Sequence, residues 1–473
     1  MPPRQSSRLK KAIADTAANV SAPTNRTSKA KATKSKAKAP EEDIKDEEPA
    51  VVEEPKSSKK RKADKIEDEE EEEEEDQAED EDEPVAEKPK AGKKRKTAAK
   101  AKTEDLMALA KRTIINTLKK SMYIGAHVSS AGGVHNSINN AVHIGANAFA
   151  LFLKSQRKWA NPPIAPEALD AFQSLSKQHN FEVHKHCLPH GSYLVNLAQA
   201  EKEKADQAYT SFLDDLKRCE SLGIKLYNFH PGNTNGDSRP AAIGRIATQL
   251  NKAHKATSTV ITVLENMAGQ GNVIGSKFED LRDIIELVED KSRVGVCIDT
   301  CHAFAAGYDL RAPEAFEDTM SKFNSIVGAE YLKAFHINDS KAPFDSHRDL
   351  HANIGTGFLG LRAFHNVMNH DAFQGMPMIL ETPIDRKGPD GKSVEDKQIW
   401  ADEIKLLESL IDMDPESDEF KALDNRLQAE GAGERSKIQD QVDRKSVKDA
   451  KKAAPKKRGR KKAAAEDEDE DSE

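Results

Sequence analysis

Val294-Gly-Val-Cys-Ile-Asp-Thr-Cys-His302 decides how the rest of the chain is read. A short run of apolar β-formers gives way, without a turn, to Asp299 and three residues later to His302, so a buried strand ends directly on two metal-competent groups. The same grammar recurs along the sequence. Leu188-Pro-His190, Asn228-Phe-His230, Val263-Leu-Glu265, Ala334-Phe-His336 and Ile379-Leu-Glu381 each close an apolar run on an imidazole or a carboxylate. One His or Glu in such a place is more often a hydrogen-bonded rim residue. Six of them at six strand ends describe a convergence, and strand ends converge at the C-terminal mouth of a closed barrel.

Working outward, strands are predicted at 123–128, 148–153, 182–188, 226–229, 260–264, 294–298, 331–337 and 377–380. Between them run stretches such as 198–222 and 278–288, whose apolar residues recur at three and four positions as an amphipathic helix requires. Eight strand-helix units in roughly 290 residues have the size and rhythm of an α/β chain folded as a (β/α)8 TIM barrel. An open, doubly wound sheet shares the alternation and is the competing architecture.

Asp349 and His351 add a further pair, two apart, which project to one side if the loop carrying them is extended. With them the candidate ligands are His190, His230, Glu265, Asp299, His302, His336, Asp349, His351 and Glu381. Imidazole and carboxylate without thiolate suit Zn²⁺ or Mn²⁺, and five His among the nine favour zinc. Nine are too many for one tetrahedral ion, so two or three ions are expected, with one carboxylate shared. Neighbouring divalent ions make hydroxide near neutral pH and clamp both the attacking and the leaving oxygen of a phosphate ester, which points to phosphodiester cleavage.

The ends of the chain read differently. Of 473 residues 33% are charged and 5% aromatic, with a mean hydropathy of −0.74, too polar for one compact domain. The excess lies in residues 1–119 and 413–473, where acidic blocks alternate with basic clusters at 59–62, 93–96 and 456–462. Such segments bury too little apolar surface to offset the entropy of ordering and are expected to be disordered tails, although 105–119 has the makings of a helix beside the core. The clusters fit a nuclear import receptor and loose contact with nucleic acid phosphates. The Ser/Thr-containing basic start offers a mitochondrial address as a second reading. Residues 121–412 hold 29 Lys/Arg against 36 Asp/Glu, so net charge does not announce a polyanion partner, and phosphates would have to be met by locally placed cations, bound metal included. Cys187, Cys219, Cys297 and Cys301 form no CxxC pair and fit reduced thiols. No apolar run reaches membrane-span length. The domain expected between the tails is 120–412.

The motifs Tyr123-Ile-Gly-Ala-His-Val-Ser129, Leu188-Pro-His-Gly-Ser-Tyr-Leu194, Asn228-Phe-His-Pro-Gly232, Glu265-Asn-Met-Ala-Gly-Gln-Gly271 and Val296-Cys-Ile-Asp-Thr-Cys-His-Ala-Phe-Ala-Ala-Gly-Tyr-Asp309 resemble endonuclease IV, the zinc-dependent apurinic/apyrimidinic (AP) endonucleases of DNA base excision repair. The likeness spans about 121–412, and the long charged ends resemble a eukaryotic, fungal-type member. It implies three Zn²⁺ ions, Mn²⁺ being the alternative at one position. His190, His230 and Glu265 would hold the first, Glu265, Asp299, His336 and Glu381 the second, and His302, Asp349 and His351 the third. Glu265, shared by two ions, is the implied catalytic carboxylate. The implied reaction cuts the phosphodiester 5′ to an abasic site in double-stranded DNA, leaving a 3′-hydroxyl and a 5′-deoxyribose phosphate, and also clears blocked 3′ ends. Arg157 matches the family's arginine inserted into the base stack, and Tyr193 and Leu194 match its wedge. Ordinary loop packing is the plainer reading of those two. Lys158 stands where bacterial members carry Gln, so its role does not carry over. His127, at the end of the first strand, is read as structural, with a place behind the metal ligands as the alternative, and residues 382–398 as a surface insertion. A monomer acting in the nucleus is expected, with no membrane partner. Two other functions stay open: a sugar isomerase, whose barrel also gathers His, Glu and Asp around two divalent ions, and a nucleic-acid binding module whose tails act while its barrel is inert.

Overall fold

The computed structural model describes residues 107–389 and 391–453. The basic clusters at 59–62, 93–96 and 456–462 lie outside them, as do residues 1–106 and 454–473 of the tails expected at 1–119 and 413–473. Its strands are β1 (Tyr123–His127), β2 (Ala148–Ala150), β3 (Leu226–Phe229), β4 (Ile261–Glu265), β5 (Val294–Asp299), β6 (Leu332–His336), the short pair β7 (Asp339–Ser340) and β8 (His351–Ala352), β9 (Pro377–Leu380), and the hairpin β10 (Asp385–Lys387) and β11 (Ser393–Glu395). Seven of them form one parallel sheet in the order β2-β1-β9-β6-β5-β4-β3. β3, β5 and β9 are buried along their whole length, as staves covered on both faces must be, which is why they read as continuous apolar runs.

The eighth stave is irregular. The strand expected at 182–188 begins instead as a helical turn, because the Lys185 and His186 amides donate to the Glu182 carbonyl. Residues 187–191 then close the barrel: Leu188 N donates to Phe149 O (3.0 Å) and His190 N to Leu151 O (3.1 Å) on one side, while Asn228 N donates to Pro189 O (2.9 Å) and Gly191 N to Asn228 O (2.8 Å) on the other. Pro189 has no N–H to give, so the segment pairs only at isolated bridges.

Helices α1 (Asn136–His143), α2 (Pro166–Gln178), α3 (Val183–His186), α4 (Lys202–Leu222), α5 (Arg239–Lys255), α6 (Phe278–Leu287), α7 (Thr300–Ala305), α8 (Pro313–Ile326), α9 (Gly360–Asn369) and α10 (Gln398–Ser409) accompany the staves. Proline opens α2 and α8, where a missing N–H costs nothing. Two apolar layers result. One lies between staves and helices; the other fills the barrel itself with Ala148, Ala150, Leu188, Leu226, Val263, Cys297, Ala334 and Ile379. Alternation along a strand makes the second residue after each inner one point inward as well. That residue is His190 after Leu188, Glu265 after Val263, Asp299 after Cys297, His336 after Ala334 and Glu381 after Ile379, so a polar layer caps the apolar one at the mouth.

Two boundaries differ from the sequence reading. Residues 107–119 carry only a 3₁₀ turn, Ile115–Thr117, yet belong to the folded part: Arg112 lies 3.9 Å over the Phe181 ring and its Nε donates to Asn147 Oδ1 at 2.7 Å. At the other end, 413 does not begin a disordered tail. Residues Asp418–Ala453 form a helix of 36 residues, α11. Phe420 and Leu427 on it are buried, Gln428 Nε2 donates to the carbonyls of Gly355 (2.8 Å) and Gly357 (3.0 Å), and Arg435 donates to that of Thr356. The helix comes close enough at Gly431 that a Cβ there would run into the Thr356 carbonyl. β10 and β11 form an exposed hairpin beyond Glu381, as expected of a surface insertion.

Candidate metal centre

The nine expected ligands meet at the mouth. Glu265, fully buried, is the hub: Oε2 lies 3.2 Å from His190 Nε2 and 3.6 Å from His230 Nε2, and Oε1 lies 3.2 Å from His336 Nδ1 and 3.3 Å from His302 Nδ1. His336 Nδ1 also approaches Glu381 Oε2 (3.3 Å) and Asp299 Oδ2 (3.9 Å). On the far side His302 Nε2 and His351 Nε2 converge on Asp349 Oδ1 at 3.0 and 3.3 Å. Potential donor atoms thus gather as His190, His230 and Glu265, as Glu265, Asp299, His336 and Glu381, and as Asp299, His302 and His351 with Asp349 alongside. Cys301 is also within reach of Asp349 and His351. Burial pushes its thiol up, and its Sγ donates to the Leu350 carbonyl at 3.6 Å, so the imidazoles are the better ligands there.

Local structure explains the spacings. Asp299 ends β5 and caps α7, one oxygen accepting from His302 N at 2.9 Å, which fixes the pair three residues apart. β8 pairs with β7 and makes the Asp349–His351 stretch extended, so both side chains face one way. Imidazole orientation is set from behind: ring nitrogens of His190, His302 and His351 sit 2.7, 2.9 and 3.1 Å from the carbonyls of Gly191, Asn266 and Glu381, leaving each Nε2 lone pair for the basin. Nε2 of His302 and of His351 is buried with no hydrogen bond, although carboxylate surrounds it. Unpartnered nitrogens aimed at shared carboxylates are what a divalent cation would satisfy, so the residues present fit such ions.

The carboxylates are held too. Asn228 donates to Glu265, Asn338 Nδ2 donates to Asp299 Oδ2 (2.7 Å) while its Oδ1 accepts from Glu381 N (2.8 Å), and Asn266 Oδ1 accepts from Asp299 N (2.7 Å). His127 Nδ1 lies 2.9 Å from Glu381 Oε1, so it holds a ligand of the centre, the alternative to the structural reading that its sequence favours. These residues escape a ligand search because amides do not read as metal chemistry. Their signal is position: Asn228 two before His230, Asn266 next to Glu265, Asn338 two after His336.

Charge in the metal-free basin follows from this crowding. Burial would raise the carboxyls of Glu265 and Glu381, but the surrounding imidazoles, His336 foremost, hold both well below the ordinary range. Burial would likewise lower His302 and His336, yet Asp299 and Asp349 for the first, Glu265 and Glu381 for the second, raise both well above their usual value. His351, buried against Asp349, is raised to about 9.

The expected DNA-contacting residues stand around this rim. Tyr193 is 61% exposed and Leu194 41%, and the Tyr193 ring centroid lies 5.3 Å from that of His190 and 5.4 Å from that of His230. Arg157 is exposed on the loop after β2. Ser192 Oγ donates to Gln156 O at 2.9 Å, joining the two loops beside these residues. Beneath Tyr193 a cavity of about 180 Å³ is lined by Val195, Phe212, Phe229 and Met267.

A closed parallel barrel with a His and carboxylate basin at its C-terminal mouth defines a metal-dependent (β/α)8 enzyme scaffold. Residues 138–410 match the family model described as the xylose isomerase-like TIM barrel. The chain is 48% identical to apurinic-apyrimidinic endonuclease 1 of Saccharomyces cerevisiae over 286 residues, 60% of this chain and 75% of that one. It is 48% identical to a probable endonuclease 4 of Campylobacter curvus over 289 residues, 61% and 98% respectively. Against apurinic-apyrimidinic endonuclease 1 of Plasmodium berghei, identity is 52% over 274 residues, which span 58% of this chain and only 54% of the relative. Among solved structures, endonuclease IV from Thermus thermophilus superposes with a TM-score of 0.51 at 30% identity, covering 61% of this chain and 98% of that one. The chain belongs to the xylose isomerase-like TIM barrels and, within them, to the endonuclease IV family of AP endonucleases.

Proposed function

We propose that this protein is a base excision repair hydrolase that cuts the phosphodiester 5′ to an abasic site in double-stranded DNA through a cluster of three Zn²⁺ ions, leaving a 3′-hydroxyl and a 5′-deoxyribose phosphate, and that it removes blocked 3′ ends at the same centre. The observation that carries the reading is Glu265, a buried carboxylate with four imidazoles within 3.6 Å. His190, His230 and Glu265 would hold one ion, Glu265, Asp299, His336 and Glu381 a second, and His302, Asp349 and His351 the third. Such ions supply an ionised water at neutral pH and positive charge for both the attacked phosphate and the leaving oxygen.

The remaining work falls to the chain. Asn228, Asn338 and His127 fix the carboxylates and Asn266 the backbone of Asp299, so the basin keeps its shape while substrate arrives. Tyr193 and Leu194, exposed beside the basin, are suited to wedge into a duplex, and Arg157 to fill the stack. A missing base lowers the cost of unstacking, so selection for the lesion follows from energy as well as from contact. The basic clusters outside the described residues support import to the nucleus, a mitochondrial share being the second reading, and the barrel is taken to act as a monomer. A nicking assay on an abasic duplex, with elemental analysis before and after chelation and an aldose substrate in parallel, tests the reading. Cutting that vanishes with the metal, no aldose turnover, and loss of cutting by at least 100-fold in Glu265→Gln are expected. A metal-free protein that nicks at full rate, or a metal-loaded Glu265→Gln protein with near-normal turnover, overturns it.

A further inference from the structure

α11 has no place among the eight strand-helix units, and its course follows from its contacts. Phe420 packs on His365 midway along α9 with ring centroids 5.5 Å apart, and Asp424 accepts from Leu361 N at 3.3 Å at the start of α9. Next come the mouth loops: Gln428 on Gly355 and Gly357, Glu434 3.2 Å from Lys341, and Gln441 Oε1 accepting from Arg348 Nη1 at 3.4 Å. Because α9 leaves the mouth and descends, α11 climbs beside it and arrives at Arg348, the neighbour of Asp349. Twelve further residues carry it to Ala453, roughly 18 Å at about 1.5 Å per residue.

Charge changes along this course. Residues 418–434 hold five acidic side chains against two basic, whereas 435–453 hold three against seven. Lys437, Gln441, Arg444 and Lys448 are spaced four, three and four apart, so they share one helix face, the one that Gln441 turns toward Arg348 at the mouth. Lys437, Arg444 and Lys448 are exposed and take part in no ion pair among the described residues, while Asp443 lies on another face and accepts from Gln439 at 3.0 Å. Asp440 flanks the stripe. The catalytic domain proper is acidic overall, with 29 basic against 36 acidic residues over 121–412, so a basic stripe held at its mouth is local and directional.

We propose that the distal half of α11 is an arm that binds the backbone phosphates of duplex DNA flanking the cut site, through Lys437, Arg444 and Lys448. The inference rests on the duplex-cleaving reading above. Phosphate contacts of this kind add affinity and position without reading sequence or lesion. The test uses the full chain and its K437Q/R444Q/K448Q variant, with affinity for an undamaged 40-base-pair duplex and kcat/KM on the same duplex carrying one abasic site, both across a salt series. The expected result is weaker binding to damaged and undamaged duplex alike, a rise in KM with kcat unchanged, and a salt dependence flattened by about 0.9 in log-log slope for each cation removed. A 10-base-pair abasic duplex, which extends only about 17 Å to each side of a central lesion and so meets less of the arm, should show a smaller difference between the two proteins than the 40-base-pair duplex, and the intact protein should favour the longer duplex. Equal affinity and slope for both proteins on the long duplex, or no preference of the intact protein for length, overturns the arm. If the intact protein binds duplex but leaves abasic DNA uncut, the enzymatic reading fails while the slope comparison still decides the arm.

Discussion

His127 marks how far individual residues can be read from their letters. Its sequence shows an imidazole at the end of an apolar strand, which favours a structural reading over a place behind the ligands; the fold puts Nδ1 2.9 Å from Glu381 Oε1. Burial lowers its charge affinity against the pull of Glu381, so it stays a neutral donor to that carboxylate. His127→Phe should therefore keep the fold and cost roughly 10- to 100-fold in metal affinity, measured by competition with a chelator. Six of the nine ligands were legible because each ends an apolar run, His302, Asp349 and His351 by their spacing from a neighbouring ligand, and the two-residue step from Cys297 to Asp299 or from Ile379 to Glu381 is written in the strand period. The amides were not, since Asn228 and Asn338 act through geometry that only the closed barrel creates. Proton competition gives a second expectation at this scale. In the metal-free chain His302 and His336 are raised well above their usual value and His351 to about 9, so these imidazoles hold protons through neutrality and an arriving ion must expel them. Metal affinity should climb as pH rises from 6 through about 9, where His351 gives up its proton; a flat profile in a chelator competition series would contradict the arrangement.

Among the elements, all eight staves are expected from the sequence, and one of them, expected at 182–188, lies instead at 187–191. At 182–188 the letters Glu-Val-His-Lys-His suit a helical turn as well as a strand, and only the neighbours at Phe149 and Asn228 draw residues 187–191 into the barrel. α11 was hidden for a different reason. Charge surrounds most of it, and part of its attachment is made by Gln428 and Arg435 to the loop carbonyls of Gly355, Gly357 and Thr356, which leaves no periodic signature. The one clue was Phe420, Leu423 and Leu427, at helical spacing on the face that meets the core. Leu427 lies against Gly355, in the loop leading away from His351. Leu427→Ala should destabilise the domain by about 2–3 kcal/mol, at the low end for a buried leucine because the site lies near the surface, and thermal unfolding measures it.

On the scale of the whole molecule, the folded body runs past both ends that composition assigns to it, from Leu109, bonded to the His143 carbonyl, and Arg112, over Phe181, to α11 across the mouth loops. Composition failed there because a segment anchored by a few contacts keeps the polar average of a tail. A chain cut to 107–453 should melt as the full protein does and retain kcat on a short abasic duplex, whereas one cut to 121–412 should melt lower; equal melting of the two would argue against the wider boundary. The amide and carbonyl supports behind the ligands have a last consequence. Because Asn228, Asn266, Asn338 and three backbone carbonyls anchor the ligating residues from behind, each side chain reaches the basin already aimed, and the entropy of gathering scattered groups is met by the fold instead of by an arriving cation.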